Sequence, residues 1–572
     1  MIADPQDLRR RLLRLDGQTK RALEVGRTRL LVTGLVFVCA FAVLGLRVID
    51  VAVFNGKSPH ALVRHEPNRP HKTQRADIVD RTGHVLATTL PTPSLYANPR
   101  EVAHPKAAAR RLVQVLPELS QGRVAARLAT DRAFVWIKRD LTPRQQAEVN
   151  RLGIPGLYFR KEERRFYPQG KLAAHLVGFT DIDNRGLAGV EESFDEVLRE
   201  SHRPLRLALD IRIQHILVDE LSKAMSAFRA IGAAGLVMDA NTGELVAMAS
   251  LPGFDPNKAG AAGAEARFNR ATLGVYEMGS VFKIFTTAAV LDRGVVDLHD
   301  RFDVSEPIRA GGYTIRDFKP KDGKLSVPEI FMHSSNIGTV HMMRAGGVEL
   351  QQNMLRDLGL TTPARLELPE IGTPMLPSPW RDINAVTISY GHGMAVTPVQ
   401  LGAAVAATVN GGILPKPTVL ARRAGEPGDG RRVFAPGTSH TMRQLLRLVV
   451  EYGTGRNAAA AGYRVGGKTG TADKLRGATY SDDARIASFV GAFPMDDPQY
   501  VVFAMVDEPK GNESTFGFAT GGWVAAPVVR RVIARSGPIL GLPPREATPT
   551  PSKENHPLLV RVKARTESAD QQ

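Results

Sequence analysis

Three short patterns stand in order along the chain: Ser280-Val281-Phe282-Lys283, Ser334-Ser335-Asn336 and Lys468-Thr469-Gly470-Thr471. By chance, an S-x-x-K is expected about once or twice in a chain of this length. The combination and its order therefore carry more weight than any one pattern. A serine hydroxyl is a poor nucleophile until a neighbouring base takes its proton. A lysine held among apolar side chains loses hydration of its charged form, becomes neutral more readily and can act as that base. The chemistry on offer is acyl transfer through a serine ester.

Each pattern also has a plainer reading. Alone, Ser280 is a helix cap beside an exposed lysine, Ser334-Ser335-Asn336 is a capping cluster, and Gly466-Gly467 belongs to a glycine-rich hairpin. The hairpin does not account for the Lys-Thr-Gly-Thr run. Lys468, Thr469 and Thr471 offer a cation and two hydroxyls suited to a terminal carboxylate. The preceding glycines leave room for a substrate backbone to pair along the strand edge.

These residues need elements to hold them. Ser280 opens an apolar stretch through Phe282, Ile284, Phe285, Ala288, Ala289 and Val290, and positions three apart share a helix face. Ser334 to Asn336 lies between Ile330-Phe331-Met332 and Ile337-Gly338-Thr339-Val340, which predicts a turn between two buried helices. Val465 to Ala472 predicts a strand. Leu207-Ala208-Leu209-Asp210, a helix over 214–225 and a hairpin turning at Asn241-Thr242-Gly243 mark the start of the same domain. Upstream, 75–87 predicts strand, turn and strand, with the turn at Thr82-Gly83. His175, set among Leu172, Ala174 and Leu176, is expected to be structural.

A chain of 572 residues is too long for one ordinary core. Its +17 charge and pI near 10.0 come from dispersed Lys and Arg with no nucleic-acid motif, which disfavours a nucleic-acid partner. The single Cys39 rules out an intramolecular disulfide. Residues 30–46 are uncharged and mostly apolar, and extension to Phe54 reaches the ~20 residues a bilayer span needs. Arg9, Arg10, Arg11, Arg14, Lys20, Arg21, Arg27 and Arg29 precede it and predict a cytoplasmic N-terminus. A cleaved signal peptide is the weaker reading, because the leader is long and no small-residue site follows closely.

With these motifs the chain resembles the class B penicillin-binding proteins, a set that carries S-x-x-K, S-x-N and K-T-G signatures. The resemblance extends to Arg75-Ala76-Asp77-Ile78-Val79-Asp80-Arg81-Thr82-Gly83, with Ala76 where the family has glycine. It includes Arg165-Phe166-Tyr167-Pro168, Gly186 to Glu191, Tyr390-Gly391-His392-Gly393 and Ala487 to Gly491. Met278 and Val281 stand where proline and threonine are usual. The resemblance implies an α/β penicillin-recognising serine transpeptidase fold, an antiparallel sheet between helices, with an N-terminal pedestal and one transmembrane helix. The expected division is a cytoplasmic tail at 1–29, the span at 30–54, the pedestal at 55–205 and the transpeptidase domain at 206–536. A disordered, proline-rich tail is expected at 537–572.

The implied activity is that of a D,D-transpeptidase. Ser280 attacks a stem-peptide carbonyl, Lys283 is the base, Ser334 relays a proton and Asn336 holds the lysine and substrate. Lys468, Thr469, Gly470 and Thr471 bind substrate, and the N–H groups of Ser280 and Thr471 hold the oxyanion. No cofactor or metal is implied. Implied partners are peptidoglycan stem peptides, β-lactams, a SEDS-type glycan polymerase and other divisome membrane proteins, with the catalytic domain periplasmic at the inner membrane. Glu451-Tyr452-Gly453-Thr454-Gly455 and the Lys468 segment look most like the septal, cell-division class. An elongation enzyme, a silent scaffold or β-lactam sensor, and a β-lactamase using Glu367 or Glu370 are the alternatives.

Overall fold

The structure is a computed structural model that describes residues 31–32, 34–45, 75–423, 425–476, 479–546 and 552–559. The chain divides into two units, Met1–His71 and Lys72–Gln572. In the first, residues 31–32 and 34–45 are helical with exposed apolar side chains such as Leu35, Phe37 and Phe41. No helix among the described residues is long and apolar enough to cross a membrane, and much of 30–54 lies outside them.

The second unit begins with a sheet in which Val85–Ala97 pairs antiparallel with Ile78–Val79, Val135–Lys138 and Leu157–Phe166. Helices Pro105–Val115, Gln121–Leu128 and Pro143–Arg151 bury Leu112, Leu128 and Val149 with the Leu95, Ala97, Val135 and Ile137 side of this sheet. The last helix starts where its sequence says it should. Pro143 opens it and Thr142 exchanges hydrogen bonds with Gln145 in a capping box. At the inner end, Glu191 is fully buried between Arg75, at 2.7 Å from Nε, and Arg165, at 2.6 Å. Asp195 takes a second bond from Arg75 at 2.6 Å.

Side-chain hydrogen bonds tie this region to the domain beyond it. The Asp80 carboxylate accepts from the backbone N–H groups of Thr82 and His84 and, with its other oxygen, from Ile211 at 3.1 Å. Ile211 opens helix α1 (Ile211–Ala227). Asn257 exchanges two 3.0 Å bonds with the Tyr167 backbone. His175 is buried with Nε2 2.8 Å from Ala266 O and its ring edge-on to Phe254. Burial lowers its pKa to about 4, which keeps it neutral and structural.

The central sheet contains β1 (Gly232–Asp239), β2 (Leu245–Leu251), β3 (Gly466–Arg476), β4 (Thr479–Phe493) and β5 (Tyr500–Asp507). Its order is β3-β4-β5-β1-β2 and every pairing is antiparallel. Strands β1 and β2 are buried along nearly their whole length, because helices cover both faces. On one face lie α1 and α7 (Gly521–Ser536), packing Leu217, Leu221, Val528 and Val532 against Val237, Phe489 and Val502. The other face meets α2 (Lys283–Asp292), α5 (Pro398–Val409) and α6 (Pro436–Glu451), with Phe285, Leu401, Val405 and Leu445 against Leu236, Val490 and Phe503.

Packing continues beyond Ser536, where composition predicts a tail. Tyr463 donates to Leu542 O at 2.9 Å and Arg545 N donates to Gly462 O at 2.9 Å. Within 552–559, Leu558 and Leu559 are buried and the His556 ring stands edge-on to Tyr452. The prolines hid four leucines with somewhere to pack. Residues 547–551 and 560–572 lie outside the described residues.

Candidate active site

Gly279–Phe282 forms a tight 3-10 turn that runs straight into α2 at Lys283, so the Ser-x-x-Lys segment is a turn plus the first helical residue rather than one regular helix. Ser280 is half-buried and no hydrogen bond engages its hydroxyl among the described residues. Such contacts often tighten only when substrate is bound. Lys283 is 1% exposed. Its Nζ donates to Ser334 O at 2.5 Å, to Asn336 Oδ1 at 2.6 Å and to Ser334 Oγ at 3.2 Å. Burial pulls its pKa down to about 7, with Asp317 opposing the shift. About half of this lysine is therefore neutral near pH 7, as a base must be.

Helices α3 (Val327–His333) and α4 (Asn336–Asp357) meet at Ser334, whose φ of 62° is left-handed. Such a backbone is uncommon for a residue with a side chain and has to be held by its surroundings. Asp317 supplies much of that hold. Its Oδ1 accepts from the N–H groups of Asn336 at 2.5 Å and Ile337 at 3.1 Å, and its Oδ2 accepts from Ser335 Oγ at 2.6 Å. Ser335 Oγ in turn accepts from Gly338 N at 2.9 Å, capping α4. Asn336 Nδ2 donates to Arg316 O at 2.9 Å, which turns the amide oxygen toward Lys283.

Strand β3 brings the third pattern. Lys468 is fully buried and its Nζ donates to Ser334 Oγ at 2.8 Å, so both lysines converge on one hydroxyl. Burial first, and then the Lys283 charge, hold Lys468 well below the usual lysine range. Its amine is thus turned toward Ser334, on the inner side of the strand. Thr469 Oγ1 lies 2.9 Å from Thr454 Oγ1, and Thr471 Oγ1 accepts from Gly521 N at 3.1 Å, at the start of α7. Gly470 pairs with Ser488 of β4. Thr471 also packs on the turn before the serine: a Cβ at Gly279 would fall 2.4 Å from Thr471 O.

The segment Tyr390-Gly391-His392-Gly393 completes the surround. Gly391 has a φ of +96°, and a Cβ there would sit 1.8 Å from Gly279 O. Gly391→Ala is therefore expected to displace the Ser280 turn and abolish most β-lactam acylation, read as loss of labelling at equal folded protein. Labelling at the wild-type level would show that the contact does not hold the turn. Gly393 N donates to Glu277 Oε1 at 2.8 Å, and the Tyr480 hydroxyl donates to the same carboxylate at 3.1 Å.

The residues of the three motifs thus meet at the edge of β3: Lys283, Ser334, Asn336 and Lys468 in one bonded cluster, Ser280 on the adjoining turn, and Thr469 to Thr471 along the strand. Glu367 and Glu370 are engaged elsewhere. Glu367 accepts from Thr418 Oγ1 and Val419 N, and Glu370 accepts from Gly189 N. Asp317, Glu277 and Thr454 carry no signal in the three motifs. Asp317 lies far from all of them in sequence, whereas Glu277 stands three residues before the serine, a position from which it could be suspected. No group of three or more His, Cys, Asp or Glu able to hold a metal ion occurs among the described residues.

A family model described as "Penicillin binding protein transpeptidase domain" matches residues 233–534, and one described as "Penicillin-binding Protein dimerisation domain" matches 70–203. The chain is 43% identical over 483 residues to the probable peptidoglycan D,D-transpeptidase FtsI of Caulobacter vibrioides, covering 82% of each chain. It is 30% identical over 532 residues to the peptidoglycan D,D-transpeptidase FtsI of Escherichia coli, covering 86% of this chain and 88% of that one. Its fold is similar to a crystal structure of penicillin binding protein 3 from Mycobacterium tuberculosis complexed with ampicillin. There the TM-score is 0.67 and the identity 26%, over 84% of this chain and 98% of the other.

Proposed function

The chain belongs to the penicillin-binding protein transpeptidase family, and on that premise we propose that Ser280 is the nucleophile of its acyl transfer. The protein is a serine-type peptidoglycan D,D-transpeptidase of the FtsI-like division type and a target of β-lactams. The observation that carries the assignment of roles is the bonded cluster of Lys283, Ser334, Asn336 and Lys468 beside the Ser280 turn. Neutral Lys283 takes the Ser280 proton as Oγ attacks the penultimate D-alanine carbonyl. The oxyanion sits between the N–H groups of Ser280 and Thr471, where a lost donor typically costs about 2.7–4 kcal/mol. Ser334, placed between the two lysines, carries the proton to the departing D-alanine. The acyl group then passes from Ser280 to an amine of a second strand. Lys468, Thr469, Gly470 and Thr471 line the donor peptide, and the Lys468 bond to Ser334 Oγ also orients that hydroxyl.

The finer organisation accords with the same reading. Residues 30–54 form a single span, supported by the exposed apolar side chains of the helix at 34–45 and the arginines before it. The N-terminal 1–29 is cytoplasmic, 55–205 is the pedestal and the catalytic domain from 206 is periplasmic at the inner membrane. The span and pedestal contact a SEDS-type polymerase and other divisome proteins. The test supplies glycan strands to the full-length protein with its polymerase and separates the digested products. Ser280→Ala should yield no cross-linked dimers. Dimers at the wild-type level from Ser280→Ala would end the assignment.

A further inference from the structure

Acyl transfer to an amine has a second proton problem, which the cluster around Lys283 does not address. At neutral pH a primary amine arrives as an ammonium and has no lone pair for attack until it loses a proton. Lys283 and Lys468 are buried and pointed at Ser334, and neither attracts a cation. Glu277 is the neighbouring group of opposite sign. It lies three residues before Ser280, on a segment pinned by Tyr276 N to Val396 O at 2.9 Å and Gly279 N to Gly391 O at 3.1 Å.

The carboxylate is half-buried, and its donors are neutral: Gly393 N at 2.8 Å and the Tyr480 hydroxyl at 3.1 and 3.3 Å. No Lys or Arg pairs with it among the described residues. A carboxylate this enclosed ordinarily has a cationic partner. Its place in the site is also specific. Strand β3 runs from Lys468 past Thr471, which packs on Gly279, to Asp473 and the hairpin that carries Tyr480. Glu277 is at the hairpin end, opposite Lys468. The rings of Tyr390, His392 and Tyr480 stand together there, with centroids 5.4 and 6.0 Å apart.

Resting on Ser280 as the nucleophile, we propose that Glu277 binds the acceptor as a primary ammonium and takes its proton before attack. The proton passes from nitrogen to a Glu277 oxygen and frees the lone pair. A C–N bond forms at the Ser280 ester carbonyl and the C–Oγ bond breaks. The second nitrogen proton returns to Ser280 Oγ through Lys283. The products are an amide, a serine and a protonated Glu277, which later yields its proton to solvent. Because the carboxylate holds the ammonium beside the ester, the same arrangement favours aminolysis over hydrolysis.

Burial raises the pKa of Glu277, Asp473 adds to that effect, and the Gly393 and Tyr480 donors oppose it. A carboxylate so placed is a stronger base than an exposed one. The titratable groups acting on it are Asp473 on β3, Tyr480 on β4 and Tyr390 on the 390–393 segment, with His392 packed between the two tyrosines.

The experiment uses the full-length protein, an acyl-D-alanyl thioester as donor and D-alanine as acceptor, and measures the ratio of aminolysis to hydrolysis product. The ratio is internal to each sample, so it does not depend on the amount of active protein. Glu277→Gln should lower it about 10- to 100-fold, the loss expected for a hydrogen bond to a charged group. Tyr480→Phe removes a donor that favours the carboxylate, and so should move the rise of the ratio to higher pH. An unchanged ratio in Glu277→Gln would overturn the proposal while leaving the Ser280 reading intact. If Glu277→Gln fails to fold, an unmoved pH profile in Tyr480→Phe overturns it instead. Failure of the wild-type protein to form any acyl-enzyme would overturn both.

Discussion

Lys283→Ala is expected to slow acylation of Ser280 by about 10²–10⁴-fold, the range for loss of a positioned general base. The fold should survive, because a small apolar side chain replaces a buried amine whose hydrogen bonds all end at the Ser334–Asn336 turn. In the wild-type protein the same amine sets the pH dependence. A lysine accepts a proton only when neutral, and burial has brought its pKa to about 7. Acylation should therefore fall about tenfold per pH unit below 7 and level off above it. Lys283→Arg should fare no better than alanine, since a guanidinium stays charged at any working pH. The check is the rate of labelling by a fluorescent β-lactam across pH 5 to 9, in proteins matched by circular dichroism. Labelling of Lys283→Ala at the wild-type rate would remove the lysine as base.

Glu191→Ala should cost roughly 3–5 kcal/mol of stability, the usual result of deleting one partner of a buried ion pair. Glu191 is fully buried and bridges Arg75 and Arg165, whose side chains are 2% and 1% exposed. Removing it leaves two guanidiniums in the interior, only partly answered by Asp195 and backbone oxygens. The loss is one of desolvation rather than of attraction, so Glu191→Gln, which keeps the volume and one acceptor, should also be strongly destabilised. Thermal unfolding followed by circular dichroism measures it. A melting curve superimposable on the wild type would mean that the network contributes nothing net.

Local chemistry made part of the fold and of the site legible in the amino-acid sequence. Apolar segments on either side of the Asn241-Thr242-Gly243 turn located the β1–β2 hairpin, because a strand buried on both faces is apolar along nearly its whole length. The motif residues were legible because acyl transfer demands particular chemical groups. Long-range contact set what remained hidden. Asp317 caps a helix that begins 19 residues further on, and nothing around it announces that role. The Gly391 contact with Gly279 spans a still longer stretch of chain and is enforced by backbone proximity alone. Lys468 was legible as a cation in the third motif, but sequence does not reveal that its amine also reaches Ser334. The tail shows composition pulling the other way. Prolines suggested disorder past Ser536, yet Leu540, Leu542, Leu558 and Leu559 pack onto the domain.

The most direct test of the central claim is intact-mass and peptide-mapping mass spectrometry of the full-length protein after exposure to a β-lactam, with Ser280→Ala in parallel. One stable adduct per chain is expected, mapped to the peptide that contains Ser280 and missing from the alanine variant. An adduct mapped to another residue, or none on folded wild-type protein, would contradict Ser280 as the nucleophile.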